Sequence, residues 1–204
     1  MIKYLEVGAT IFGLIQGVLV MLNKRSNWIA YSIQMILMIA FSLFMHLYGD
    51  VVNSSIYLVL GIVGFIIWNK KDDKDIKRCS TKERIVYTAL IAVATATVAM
   101  VLKRTDDPLP ILDAFTTVSS FVATYYMMTK KIDTWIIWFI NDIFYAIEYF
   151  ILPEQAFSLF LLNVVWTGMA VVSYINWKKI MNKNVNKKER KEWKKFILQE
   201  NSIC

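Results

Sequence analysis

The chain is poor in the residues that staple, break or catalyse. Of its 204 residues only two are cysteine, three proline, seven glycine and one histidine. Two cysteines exclude a disulfide scaffold. His46 stands without a cluster of cysteines or carboxylates, which leaves no metal centre to expect. The sequence holds no Gly-x-Ser-x-Gly elbow, no His-rich helix and no phosphate-cradling glycine loop, so neither an enzyme nor a cofactor is expected. Pro108, Pro110 and Pro153 all fall between apolar stretches, which predicts continuous helices rather than interrupted ones. Charge is scarce as well, at 19% of residues, where a soluble domain carries about 25%.

Apolar residues fill that space. They make up 57% of the chain, and mean hydropathy is +0.46. A water-exposed surface does not absorb such an excess, so the composition describes an integral membrane protein. A helix needs about 20 predominantly apolar residues to cross the hydrocarbon core. Seven stretches satisfy this, at 4–22, 28–46, 51–68, 85–102, 111–128, 135–152 and 156–177. The first carries Glu6, lacks a small-residue cleavage site and precedes six more, so it reads as a span rather than a signal peptide.

Lysine and arginine set the expected orientation. The loops after spans one, three and five and the segment after span seven hold 20 of the 23 basic residues, and the opposite side holds 3. Basic residues are retained in the cytoplasm, which predicts an external N-terminus and a cytoplasmic C-terminus in a plasma (inner) membrane. The basic tail, with Lys187, Lys188, Arg190 and Lys191 near Trp193, then fits anionic lipid rather than nucleic acid. Cys79 and Cys204 fall on the reducing side. Trp28, Trp68 and Trp177 recur at the inner boundary and read as an interfacial aromatic belt. Asn53-Ser54-Ser55 spells a glycosylation sequon but abuts the membrane too closely to expect use.

The chain also resembles itself. Shifted by 107 residues, Glu6 meets Asp113, Gly13 meets Ser120, Gly17 meets Thr124, Lys24 meets Lys131, Trp28 meets Trp135 and Gln34 meets Asn141. After a two-residue slip Tyr57 meets Trp166, Gly64 meets Ser173 and Trp68 meets Trp177. Two three-span units therefore flank a single connector, a 3+1+3 arrangement whose halves run parallel. The units are 1–68 and 108–177, with a cytoplasmic loop and connector at 69–107 and a basic tail at 178–204. Such transporters hold substrate near the midplane, where the halves meet. Gly13-x-x-x-Gly17 and Ser120-x-x-x-Thr124 should permit close helix approach.

Depth follows from the rise of 1.5 Å per residue. Gln34, Asn141 and Asp142 reach the middle third of the bilayer from the inner side, and Tyr57, Asn163 and Trp166 from the outer side. Trp135, Trp138, Asp142, Tyr145 and Tyr149 recur every three or four residues and form one stripe of span six. Unpaired amides and carboxylates at this depth cost several kcal/mol, so they mark a pathway. The candidate substrate-binding set is Gln34, Tyr57, Trp135, Trp138, Asn141, Asp142, Tyr145, Asn163 and Trp166. Aromatic faces attract cations by roughly 0.5–2 kcal/mol each, which suits a cationic ring joined to a polar group.

Residues 47–50 (LYGD), 107–120 (DPLPILDAFTTVSS), 129–142 (TKKIDTWIIWFIND) and 174–179 (YINWKK) resemble the PnuC family of vitamin transporters. The resemblance covers about residues 4–180, and Trp135-x-x-Trp138-x-x-Asn141-Asp142 is its most specific part. It implies a SWEET-like 3+1+3 fold, often a homotrimer, that passes nicotinamide riboside down its gradient for a cytoplasmic kinase to trap by phosphorylation. Related members carry thiamine, riboflavin or deoxynucleosides. Nicotinamide riboside is the leading substrate and thiamine the alternative; riboflavin, larger and uncharged, fits two tryptophans less well.

Overall fold

The computed structural model describes residues 2–70, 76–151 and 157–200. These residues form seven helices: α1 (Ile2–Met21), α2 (Asn27–Phe44), α3 (Tyr48–Lys70), α4 (Thr81–Leu102), α5 (Pro110–Met128), α6 (Thr134–Ile151) and α7 (Phe157–Glu200). Each expected span lies on one helix; residues 152–156, where two spans were expected to end and begin, are outside the described residues, as is Cys204. Helix α7 runs on through the basic segment to Glu200. Beyond Gly168 no glycine or proline interrupts it, and Lys, Arg and Glu are good helix formers.

Six of the helices are long and apolar enough to cross a membrane. Helix α5 falls short because Thr116, Ser119, Ser120 and Thr124 replace aliphatic residues, and it is the helix with most buried positions. Its hydroxyls donate to carbonyls four residues earlier, as in Ser120 to Thr116 at 2.7 Å and Thr124 to Ser120 at 2.8 Å. A satisfied hydroxyl loses its polarity cost, so α5 can be enclosed by its neighbours. Helix α4 is its opposite. Only Ala99 is buried on it, and Ile85, Val86, Leu90, Val93 and Met100 face outward. Ser80 and Glu83 form a capping box at its start, which satisfies two orphan amides.

Among the described residues α1 packs on α2 and α2 on α3, while α5 packs on α6 and α6 on α7; α1 meets α7, α3 meets α5, and α4 meets α5 alone. The turns after α1 and α5 match bond for bond. Asn23 and Lys130 both have φ of 54°. Asn23 N–H donates to Val20 and Lys24 N–H to Leu19, as Lys130 N–H donates to Met127 and Lys131 N–H to Tyr126. Each is a Schellman stop, which uses a left-handed residue to satisfy the last carbonyls of a helix.

Tryptophan closes the bundle at the end where α1 turns into α2 and α5 into α6. Trp28, Trp68 and Trp177 are fully buried, which overturns their reading as a belt. Trp28 meets Trp68 edge-on at 5.8 Å, and Trp135 meets Trp177 edge-on at 5.3 Å. Trp177 Nε1 donates to the Val20 carbonyl of α1 at 2.9 Å, and Trp68 Nε1 to the Met128 carbonyl of α5 at 3.0 Å. Each indole thus crosses to the other three-helix group and donates to a carbonyl in the last turn of a helix, at Val20 beside the Asn23 amide. A belt needs its rings at lipid headgroups; all three rings are buried, and Trp68 and Trp177 find their acceptors inside the protein.

A short loop ties α4 to this end. Lys77 pairs with the 130–132 backbone, and Asp133 accepts from Cys79 N–H at 2.8 Å and Arg84 Nε at 2.8 Å. Cys79 is buried beneath, and that burial pushes its thiol up to about 11.

Candidate functional site

A cavity of about 410 Å³ lies where the two helix groups meet, lined from α1, α2, α3, α5, α6 and α7. Val20, Met127 and Trp135 belong both to its lining and to the tryptophan-rich core, so that end is its floor. Exposed Asn53, in the second turn of α3, lies at the opposite end of the lining, which makes this the mouth.

Eight of the nine sequence-predicted residues line the cavity. Gln34 comes from α2, Tyr57 from α3, Trp135, Trp138, Asp142 and Tyr145 from α6, and Asn163 and Trp166 from α7. The ninth, Asn141, does not. It is fully buried against α5. Ser119 Oγ donates to its Oδ1 at 2.7 Å, and its Nδ2 donates to Ser120 Oγ at 2.8 Å. Tyr149 stacks on Tyr145 at 6.1 Å but is not part of the lining.

Sequence reasoning missed Gln16, Asn53, Ser54 and Ser120, which also line the cavity. Gln16 carried a usable signal, as the one amide in the middle of its span. Asn53 was hidden by its sequon, and Ser120 by its role as a small packing residue.

The glycines of the first span seat site side chains rather than a neighbouring backbone. A Cβ at Gly13 would lie 2.7 Å from Gln34 Nε2, and one at Gly17 would lie 2.7 Å from Trp166 Cζ3. Either distance is shorter than carbon and its neighbour tolerate, so a methyl at Gly13 would push the Gln34 amide aside and one at Gly17 would collide with the Trp166 ring.

Asp142 is the one charged residue in the lining, and no lysine or arginine joins it. It is 7% exposed. Among the described residues nothing donates a hydrogen bond to its carboxylate and no cation faces it. A concave, largely aromatic chamber with a few convergent polar groups and a carboxyl that no protein cation faces suits a small cation-bearing molecule.

The family model described as nicotinamide mononucleotide transporter matches residues 3–179. The chain belongs to this family. It is a multi-pass membrane transporter by that membership and by its apolar helices. A curated relative, the nicotinamide riboside transporter PnuC of Neisseria mucosa, is 26% identical over 196 residues, covering 89% of this chain and 74% of its own length. The crystal structure of the vitamin B3 transporter PnuC is similar with a TM-score of 0.71 and 26% identity, over 89% of this chain and 83% of that one. The PnuC-family resemblance read from the Trp-x-x-Trp-x-x-Asn-Asp run is therefore upheld.

Proposed function

We propose that the protein imports nicotinamide riboside by facilitated diffusion, with thiamine as the alternative substrate. The observation that carries this reading is the Asp142 carboxylate, unneutralised in a cavity that also presents Trp135, Trp138 and Trp166. A pyridinium or thiazolium ring gains from both the charge and the π faces. The amides of Gln34 and Asn163 suit sugar hydroxyls or a carboxamide. A phosphate would meet a carboxylate and no lysine or arginine, which favours the nucleoside over the mononucleotide.

The 3+1+3 SWEET-like architecture agrees with the equivalent Schellman turns, the paired Trp caps and the matched contacts of α1 with α7 and α3 with α5. The N-terminus lies outside, so the cavity faces outward above a closed inner gate. Substrate released inside is trapped by phosphorylation by a separate kinase. The protein works as a homotrimer in the plasma membrane, with its basic tail against anionic lipid, and performs no chemistry itself.

Proteoliposomes test this directly. Nicotinamide riboside should equilibrate across the membrane without a proton gradient, and a protonophore should leave early uptake intact. Excess nicotinamide mononucleotide should compete poorly. Uptake of thiamine but not nicotinamide riboside would promote the alternative. Accumulation driven by a proton gradient alone would refute facilitated diffusion.

A further inference from the structure

The two repeat-equivalent amides, Gln34 and Asn141, are treated differently by their surroundings. Gln34 lies over Gly13, where even a methyl group would collide with its amide nitrogen, and its side chain lines the cavity. Asn141 lies over Ser120, the residue equivalent to Gly13. There the serine hydroxyl takes the amide as a partner, Ser119 takes its oxygen, and the side chain is excluded from the lining.

Ser120 itself lines the cavity. Its hydroxyl donates to the Thr116 carbonyl at 2.7 Å and accepts from Asn141 Nδ2 at 2.8 Å. The Tyr57 and Tyr145 hydroxyls also hydrogen-bond with Ser120, so Asn141 helps fix an oxygen that two other cavity-lining side chains share.

We infer that Gly13 and Ser120 decide which amide reads the substrate: Gln34 contacts it, while Asn141 is a positioning residue that fixes the Ser120 hydroxyl in the cavity wall. This deepens the proposed transport function and rests on it for the identity of the ligand. The chemistry is simple. A glycine leaves room for a long amide to stand free at the wall, and a serine captures a short one. The first repeat therefore supplies a substrate-facing donor and acceptor, and the second supplies a clamped hydroxyl.

The test is a pair of double-mutant cycles on the full-length protein in detergent, read by quenching of tryptophan emission with nicotinamide riboside and, separately, thiamine. Gln34→Ala should weaken binding roughly ten-fold, the loss of one or two hydrogen bonds. Gly13→Ala should weaken it by a similar factor, because its methyl displaces the Gln34 amide, and should add nothing to Gln34→Ala. Asn141→Ala and Ser120→Ala should each weaken binding, with the double variant no worse than the weaker-binding single one. Gln34→Ala should multiply with Asn141→Ala.

Melting without ligand separates this inference from the function it rests on. Asn141→Ala removes two buried hydrogen bonds between α6 and α5 and should lower the melting temperature by about 3–6 °C, whereas Gln34→Ala should leave it unchanged. Normal binding by Gly13→Ala would overturn the inference. So would a further loss from Asn141→Ala in the Ser120→Ala background, which would mean that Asn141 touches substrate directly. If wild type binds neither ligand, the function reading fails. The melting comparison then still decides, and equal stability of the Gln34→Ala and Asn141→Ala variants would sink the amide assignment.

Discussion

Replacing Asp142 by asparagine keeps the shape of the side chain and removes the cavity's one charge. The carboxylate is 7% exposed and has no protein partner among the described residues, so folding holds it in place at the cost of its hydration. The substitution should therefore leave thermal stability in detergent unchanged or raise it. Binding is a different matter. Two unit charges about 5 Å apart attract by about 3 kcal/mol at an effective dielectric constant of about 20. Part of that is lost in stripping water from the ligand, which leaves about 1.5–3 kcal/mol, the usual value for a hydrogen bond to a charged group. Affinity for nicotinamide riboside should fall roughly 10- to 150-fold. A neutral nucleoside such as uridine should bind the variant as well as it binds wild type. Initial uptake rates into proteoliposomes, with uridine as competitor, give both quantities. Equal losses for the cationic and neutral ligands would refute the charge argument, as would an unchanged affinity for the cation.

Four further outcomes are expected. Replacing Trp177 with phenylalanine keeps the ring against Trp135 but removes the 2.9 Å bond to the Val20 carbonyl. It should cost about 0.5–1.5 kcal/mol and speed inward release, seen as faster efflux from preloaded liposomes; unchanged efflux would argue against a gate. Cys79, with its thiol near 11, is about a thousandth thiolate at pH 8 and should resist maleimide until the protein is unfolded; rapid labelling of the native protein would contradict its burial. Orientation is then readable in a Cys204→Ser background, with Lys103→Cys labelled from outside cells and Lys24→Cys only after lysis. Replacing Trp138, which lines the cavity, with leucine should abolish most ligand-dependent quenching, whereas Trp193→Leu on the exposed tail should not; the reverse result would remove the aromatic wall from the site.

Much of this protein is legible in its sequence because the bilayer imposes a one-dimensional rule. Every stretch of about 20 apolar residues must be helical to satisfy its backbone, so the helices follow from hydropathy, and α5 is no exception once its hydroxyls bond backward. The 107-residue offset was visible as chemistry before it was visible as equivalent turns. Gln34, Tyr57, Asp142 and Trp166 were found by counting depth along each span, and Trp138 by its place on the α6 stripe. What failed did so for one reason in each case. Trp68 and Trp177 sit at belt depth, yet their indoles cap the ends of α5 and α1 across the molecule, a partnership that only packing creates.

Asn141 and Asp142 make the division plainest. As neighbours on one helix they lie at the same depth, 1.5 Å apart along the axis, but about 100° apart around it. Depth is a property of the chain alone. Which direction faces the cavity and which faces α5 is settled by how α6 packs against α5 and α7, with serines of α5 taking the amide and the open chamber taking the carboxylate. The sequence by itself determined the membrane, the helices and the depth of the residues that line the cavity. The tertiary structure decided its azimuth, because rotation about a helix axis has no reference until another helix supplies one.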